Sequence, residues 1–383
     1  MALRLALSVC VLLATVGASL GQAQDRGAAA TPHRVRVFFG TNQGIYTSIF
    51  NLATGEISEA KVASAMVKPS FLTIHPSGEY LYSVCEIETA DGKKNGGVAA
   101  FGVERNSGQI VLLNRQSSEG KGPCHVSLDK DGKALFVANY GSGSCASLPI
   151  GGDGQLGAPA SAHQHQGKSI DPARQEGPHA HSIHLDPANK FAFVCDLGLD
   201  QILVYKFDPA TAKLTPNDPP FARTPAGGGP RHFAFHPSGK WAFANNEMKS
   251  SVTVYAYDAD KGTLTAGQTL STLPNEVKGN STAETQVHRT GKFVYVSNRG
   301  HDSIAIFEFD ASTGKLTAKG HQASGGKTPR NFCIDPTGGY LVAANQGSGN
   351  VVVFRIDQKT GGLTAIGQEI KVPSPACVKF MQK

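Results

Sequence analysis

One pattern of apolar and polar positions repeats along the chain. A short apolar run enters a four-residue turn and a second apolar run leaves it. The turns are His75-Pro-Ser-Gly78, Asp129-Lys-Asp-Gly132, Asp186-Pro-Ala-Asn189, His236-Pro-Ser-Gly239, His288-Arg-Thr-Gly291 and Asp335-Pro-Thr-Gly338. Each ends on Gly or Asn, which take a positive φ at little cost. Their first residues are 54, 57, 50, 52 and 47 positions apart. The runs that follow, such as Phe293-Val-Tyr-Val-Ser297, have the length and β-branched or aromatic content of strands.

Ten residues past the start of each turn stands Cys85, Asn139, Asp196, Asn246, Asn298 or Asn345. In the last five repeats a polar loop of constant length comes next, as in Arg299-Gly-His-Asp302 and Gln346-Gly-Ser-Gly349. Another strand follows, for example Val351-Val-Val-Phe-Arg-Ile356. Constant loop length fixes hairpin register. The recurrent Asn is expected to cap these turns. A further hairpin signal recurs in Asn51-Leu-Ala-Thr-Gly-Glu-Ile57 and Asp310-Ala-Ser-Thr-Gly-Lys-Leu316, with Gly151-Gly-Asp-Gly-Gln-Leu156 as a degenerate member.

Seven outer hairpins therefore accompany only six turns, and the termini explain the difference. Pro375-Ala-Cys-Val-Lys-Phe380 matches the strand before a turn, as in Pro230-Arg-His-Phe-Ala-Phe235. Arg34-Val-Arg-Val-Phe-Phe39 matches the strand after one. The pattern predicts an all-β chain, a seven-bladed β-propeller over residues 34–383. Its last blade takes its inner strand from the C-terminus and its outer strands from the N-terminus. Two stacked sandwiches would predict neither the period nor the complementary ends.

Composition locates the rest. The 44 glycines and 21 prolines are the turn chemistry of repeated blades, and the 40% apolar content is enough for a core. A basic start at Arg4, an apolar run over residues 5–20 and Gly21-Gln-Ala23 read as a signal peptide over 1–23. A flexible segment, 24–33, should follow. The run is short for a membrane anchor. The expectation is an exported protein, periplasmic or secreted, with no membrane contact after cleavage. Losing Arg4 takes the net charge from +6 to 6 − 1 = +5. That charge is scattered, which argues against nucleic acid. No CxxC pair suggests zinc or redox chemistry. Cys85, Cys195 and Cys333 lie in apolar runs and read as small buried side chains.

Aligned positions of a propeller meet at one mouth of the central channel. Five residues before the turns stand Ser70, Cys124, His181, Arg231, Ala283 and Arg330. Eleven residues after their starts stand Glu86, Tyr140, Leu197, Glu247, Arg299 and Gln346. The two columns occupy the same end of adjacent antiparallel strands, so their charged members should surround one mouth. Arginines bind carboxylate, phosphate or a developing oxyanion, and a His or Glu can take a proton from water. These are parts for opening an activated ester without a metal or cofactor. In Pro178-His-Ala-His-Ser-Ile-His184, His184 reads as a core hydrogen-bonder. His179 and His181 would share one strand face, but no third metal ligand accompanies them. His163 and His165 read as solvated loop, and His75 and His236 as turn residues. Gly227-Gly-Gly229 could cradle an anion or simply connect two blades.

Gly177-Pro-His-Ala-His181, Gly229-Pro-Arg-His-Phe-Ala-Phe-His-Pro237, Asn245-Asn-Glu247, Ser297-Asn-Arg-Gly300 and Thr328-Pro-Arg-Asn-Phe332 resemble the lactonase family of seven-bladed propellers. That family includes bacterial 6-phosphogluconolactonases and the fungal carboxy-muconate cyclase. The resemblance implies a catalytic set of Arg231, Glu247 and a histidine, His181 ahead of His179. It places Arg299 and Arg330 at the anionic group of substrate, and His179, Glu86 and Gln346 are further candidate substrate-binding residues. The implied partner is a small-molecule lactone or sugar acid. A signal peptide points to an unphosphorylated sugar lactone rather than a phosphorylated cytosolic one. The alternatives are a propeller that only binds, and a muconate-type cycloisomerase.

Overall fold

The turn signals close as predicted in a computed structural model that describes residues 33–86 and 96–381. The proposed leader and residues 24–32 lie outside the described residues. At every turn the fourth residue's N–H donates to the first residue's carbonyl, from Gly78 to His75 (2.8 Å) through Gly338 to Asp335 (2.9 Å). Where the first residue is Asp, its carboxylate also accepts from the chain leaving the turn. Asp186 Oδ1 takes Lys190 N at 2.6 Å and Phe191 N at 2.8 Å. Where it is His, the ring does two jobs. His75 Nδ1 bonds Ser77 Oγ at 2.8 Å within the turn, and Nε2 bonds Gly132 O of the next blade at 3.1 Å. His236 and His288 repeat this clamp on Gly291 and Gly338.

Among the described residues, 28 strands make seven four-stranded antiparallel sheets, with no helix. The blade that closes the ring orders its strands Pro375–Phe380, Arg34–Thr41, Ile45–Asn51 and Lys61–Ser64 from the inside outward. Its pairing runs from Val37 opposite Phe380 to Gly40 opposite Cys377. The terminal closure read from the sequence is therefore present. Packing between blades supplies the core. Phe193 stacks on Phe233 of the next blade with centroids 5.5 Å apart, and Phe50 meets Tyr340 edge-on at 5.6 Å across the closing seam. No two described cysteines form a disulfide; Cys85 and Cys195 are buried and Cys333 is partly so.

Two local expectations are corrected. Ser161–Gln164 is the outer strand of its blade, not loop. His163 Nε2 bonds Leu214 O there at 2.9 Å, and His165 is buried, with Nδ1 2.6 Å from Asp196 Oδ2. Alternation alone could not show this, because the partner carboxylate comes from another blade.

The inner strands share one irregularity that builds the site. Their pairing with the next strand slips between Pro123 and His125, Ala180 and Ser182, Pro230 and Phe233, Thr282 and Thr285, and Pro329 and Asn331. Cys124, His181, Arg231, Ala283 and Arg330 each fall inside one of these slips. A bulge re-aims a side chain that regular pleating would send elsewhere. The same device in five blades turns a sequence column into a ring around the mouth.

Candidate active site

A cavity of about 480 Å³ opens at this mouth. Glu86, Cys124, His181, Glu247, Arg299 and Arg330 line it, joined by Tyr140 and Arg174. Five of the eight predicted site residues are therefore brought together at its wall: His181, Glu247, Arg299, Arg330 and Glu86.

Glu247 follows the strand Trp241–Asn246, and its N–H donates to Gly229 O at 2.7 Å. Its carboxylate is the electrostatic centre. Oε2 lies 2.9 Å from Arg231 Nε and 2.9 Å from Arg299 Nη2, and Oε1 accepts from Arg174 Nη2 at 2.8 Å. Burial alone would raise its pKa, but the charges of Arg299, Arg231 and Arg174 outweigh that and hold it at about 2. A carboxylate so engaged is a poor base.

Arg231 stands behind Glu247 rather than on the cavity wall. Only 2% of it is exposed, and Nη1 donates to Ala283 O at 2.6 Å. Burial, with Arg299 and Arg330 nearby, lowers its pKa to about 9, so it stays charged at neutral pH. Arg330 is different. It lines the cavity and forms no hydrogen bond or ion pair with any described residue. A guanidinium left open in this way is a fork offered to an incoming anion. Four guanidiniums, from Arg174, Arg231, Arg299 and Arg330, face two carboxylates, Glu247 and Glu86. The formal balance is 4 − 2 = +2.

Of the two candidate histidines, His181 is the one at the cavity. Its Nδ1 sits 3.9 Å from Cys124 Sγ, and its other ring nitrogen has no hydrogen-bond partner among the described residues. Burial first, then the positive charge of Arg231, pushes its pKa well below that of an ordinary imidazole, so it is neutral at pH 7. His179 lies just before the strand and outside the bulge. Its ring stacks on Tyr140 at 4.6 Å, with Nδ1 3.0 Å from Tyr140 O and Nε2 3.3 Å from Glu176 Oε1. The expectation that both histidines share one strand face fails because the bulge at His181 breaks the alternation. Gln346 is not part of the cavity wall; its N–H donates to Thr328 O at 2.9 Å. Burial raises the Cys124 thiol to about 12, so it is no nucleophile at neutral pH. Among the described residues no three His, Cys, Asp or Glu side chains form a metal-ligand group.

Column reading missed Arg174, because it lies in the long connection between Ser161–Gln164 and Ala180–Leu185 and belongs to no column. Two buried carboxylates hold that connection. Asp196 grips His165 and the His179 N–H. Asp200 accepts Ser169 Oγ at 2.6 Å, Gln175 Nε2 at 2.8 Å, Gly227 N at 2.6 Å and Gly229 N at 2.8 Å. The glycine-rich turn does cradle an anion, and the anion is the protein's own Asp200. Gly229 has φ +65°, and a Cβ there would meet Leu197 and Met248 at 2.9–3.0 Å.

The fold and site define a seven-bladed propeller with a buried Glu and Arg set under an open cationic mouth. Residues 28–380 match the family of Lactonase, 7-bladed beta-propeller, and the chain belongs to that family. It is 38% identical over 345 residues to a Bacillus subtilis protein named 6-phosphogluconolactonase, covering 90% of this chain and 96% of that one. The solved structure of the Pseudomonas aeruginosa periplasmic gluconolactonase superposes with a TM-score of 0.84 at 31% identity, covering 91% of this chain and 99% of that one. A candidate 6-phosphogluconolactonase from Bacteroides fragilis superposes at 0.85 with 34% identity, covering 93% and 100%.

Proposed function

We propose that the chain is an exported hydrolase that opens a sugar lactone at this mouth. The observation that carries the reading is the open Arg330 guanidinium beside the neutral His181 ring in one cavity. A water molecule gives a proton to His181 as its oxygen attacks the lactone carbonyl carbon. The ring C–O bond then breaks, the proton passes to the leaving alkoxide, and a hydroxy acid results. Arg299 and Arg330 are the donors placed to meet the oxyanion and the acid group of the product. Arg231 acts from beneath by holding Glu247 charged and the Arg299 fork in place. Between the two bases open at the sequence level, His181 is favoured, because every Glu247 oxygen is already engaged by arginine.

The names of the Bacillus subtilis and Pseudomonas aeruginosa proteins support a gluconolactone-type substrate. The apolar leader over residues 5–20 and the word periplasmic in the latter support export and an unphosphorylated substrate. Following glucono-lactone and its 6-phosphate by pH-stat, with products identified by NMR, tests the reaction. Hydrolysis no faster than buffer on either would leave a binding propeller, and an isomer in place of a hydroxy acid would point to a cycloisomerase. Recovery from the periplasmic fraction with Gln24 as the first residue tests export.

A further inference from the structure

The opposite mouth of the channel holds a second cavity of about 350 Å³. Lys379, on the C-terminal strand that closes the ring, lines it and lies 4.8 Å from the centre of the Phe71 ring. Lys379 forms no hydrogen bond or ion pair with any described residue. Around it are His125, His184, His232, Glu284 and Thr285.

Several polar groups here have no hydrogen-bond partner among the described residues. Glu284 already accepts three hydrogen bonds. Its Oε1 accepts from His232 Nδ1 at 3.1 Å and from Thr285 N at 2.9 Å, and Oε2 accepts from Asn331 Nδ2. His125 Nδ1 accepts the Ile183 N–H at 3.4 Å, which leaves a proton on Nε2. His184 Nε2 and Thr285 Oγ1 are buried with no hydrogen-bond partner among the described residues, so the expected core hydrogen bond of His184 is not made among them. An ammonium over the Phe71 ring, a hydroxyl without a hydrogen-bond partner among the described residues and the His125 Nε2–H thus face one space, which the Glu284 carboxylate also lines. Burying such donors costs free energy unless water or a ligand supplies acceptor oxygen atoms.

We propose that this far mouth is a second binding site, for a small oxyanion, held by Lys379 with His125, His184 and Thr285 as donors. It is separate from the cavity of Arg330 and His181 and does not depend on the lactone reading. His181 of the first mouth and His232 of the second have ring centres 5.4 Å apart. An anion held here by the terminal strand would also tie ring closure to ligand.

The test is an NMR titration of ring-labelled histidines in the purified chain, with acetate and with inorganic phosphate. Ring signals of His125 and His184 should shift and saturate with at least one of the two, and which one does so names the oxyanion. Lys379→Met should weaken that binding roughly tenfold or more, as loss of a charge-assisted contact does. Lys379→Arg should retain it, and Thr285→Val gives an independent variant if Lys379→Met does not fold. Unmoved ring signals with both anions, equal binding by folded Lys379→Met, or shifts confined to His181 would overturn the proposal.

Discussion

Arg231 Nε lies 2.9 Å from Glu247 Oε2, and both side chains are almost wholly buried. Glu247 is thereby a fixed negative charge rather than a titrating base. Its pKa of about 2 is below the ordinary value of about 4.3. For a depressed carboxylate the stabilisation is present above the unfolded pKa and is lost as pH falls through the folded one. Urea melts should thus lose stability between about pH 4.3 and 2. Glu247→Gln should cost about 3 to 5 kcal/mol at pH 7, since it leaves buried guanidiniums unpaired. The difference from wild type should shrink at the acid end. Equal melts across this range would refute the fixed-charge role.

Arg231 supports the site without reaching the cavity. Arg231→Ala should lower turnover of a confirmed lactone about 100- to 1000-fold, the scale of losing an oxyanion donor or its support. Unchanged turnover in steady-state assays would remove Arg231 from the machinery.

His181 is held neutral, so the free enzyme should show no acid limb from it. A plot of kcat/KM should stay flat from about pH 5.5 to 8. An inflection near 6.5 that disappears in His181→Asn would mean that the ring titrates like a free imidazole.

His165 has the opposite shift. Burial disfavours its charge, but the bond to Asp196 outweighs burial and raises its pKa to about 9. The resulting stabilisation is full below the unfolded pKa of about 6.5 and is lost as pH rises through about 9. Asp196→Asn should abolish that alkaline loss in thermal melts followed from pH 6 to 10, roughly the span of the two values.

Asp200 reaches Arg174 through Gln175 and the connection that carries both. Asp200→Asn should raise KM for a confirmed lactone more than it lowers kcat, as Arg174→Ala should. The two effects should be non-additive in a double-mutant cycle. Additive changes would mean that Asp200 acts elsewhere.

How much of this was legible in the sequence depends on whether a residue sits in a repeat. His181, Arg330, Glu247 and Arg299 occupy aligned columns, and the fold's rotational repetition turns a column into a ring. Arg174 and His165 lie in the connection over 165–179, where no second copy exists to align, so their contacts could not be inferred. His179 looked equivalent to His181 because two residues apart means the same face in a regular strand, and only the bulge made them differ.

The sequence alone determined the blade count, the strand order and the closure by both termini. Those follow from turn chemistry and apolar alternation, which are local and recur at a steady spacing. Tertiary structure decided which charges face the cavity and which stand behind it. Arg231 and Arg330 occupy equivalent positions, yet one is sealed under Glu247 and the other is open. That difference comes from the residues that neighbouring blades bring to each side chain, and proximity across blades is a property of the closed ring.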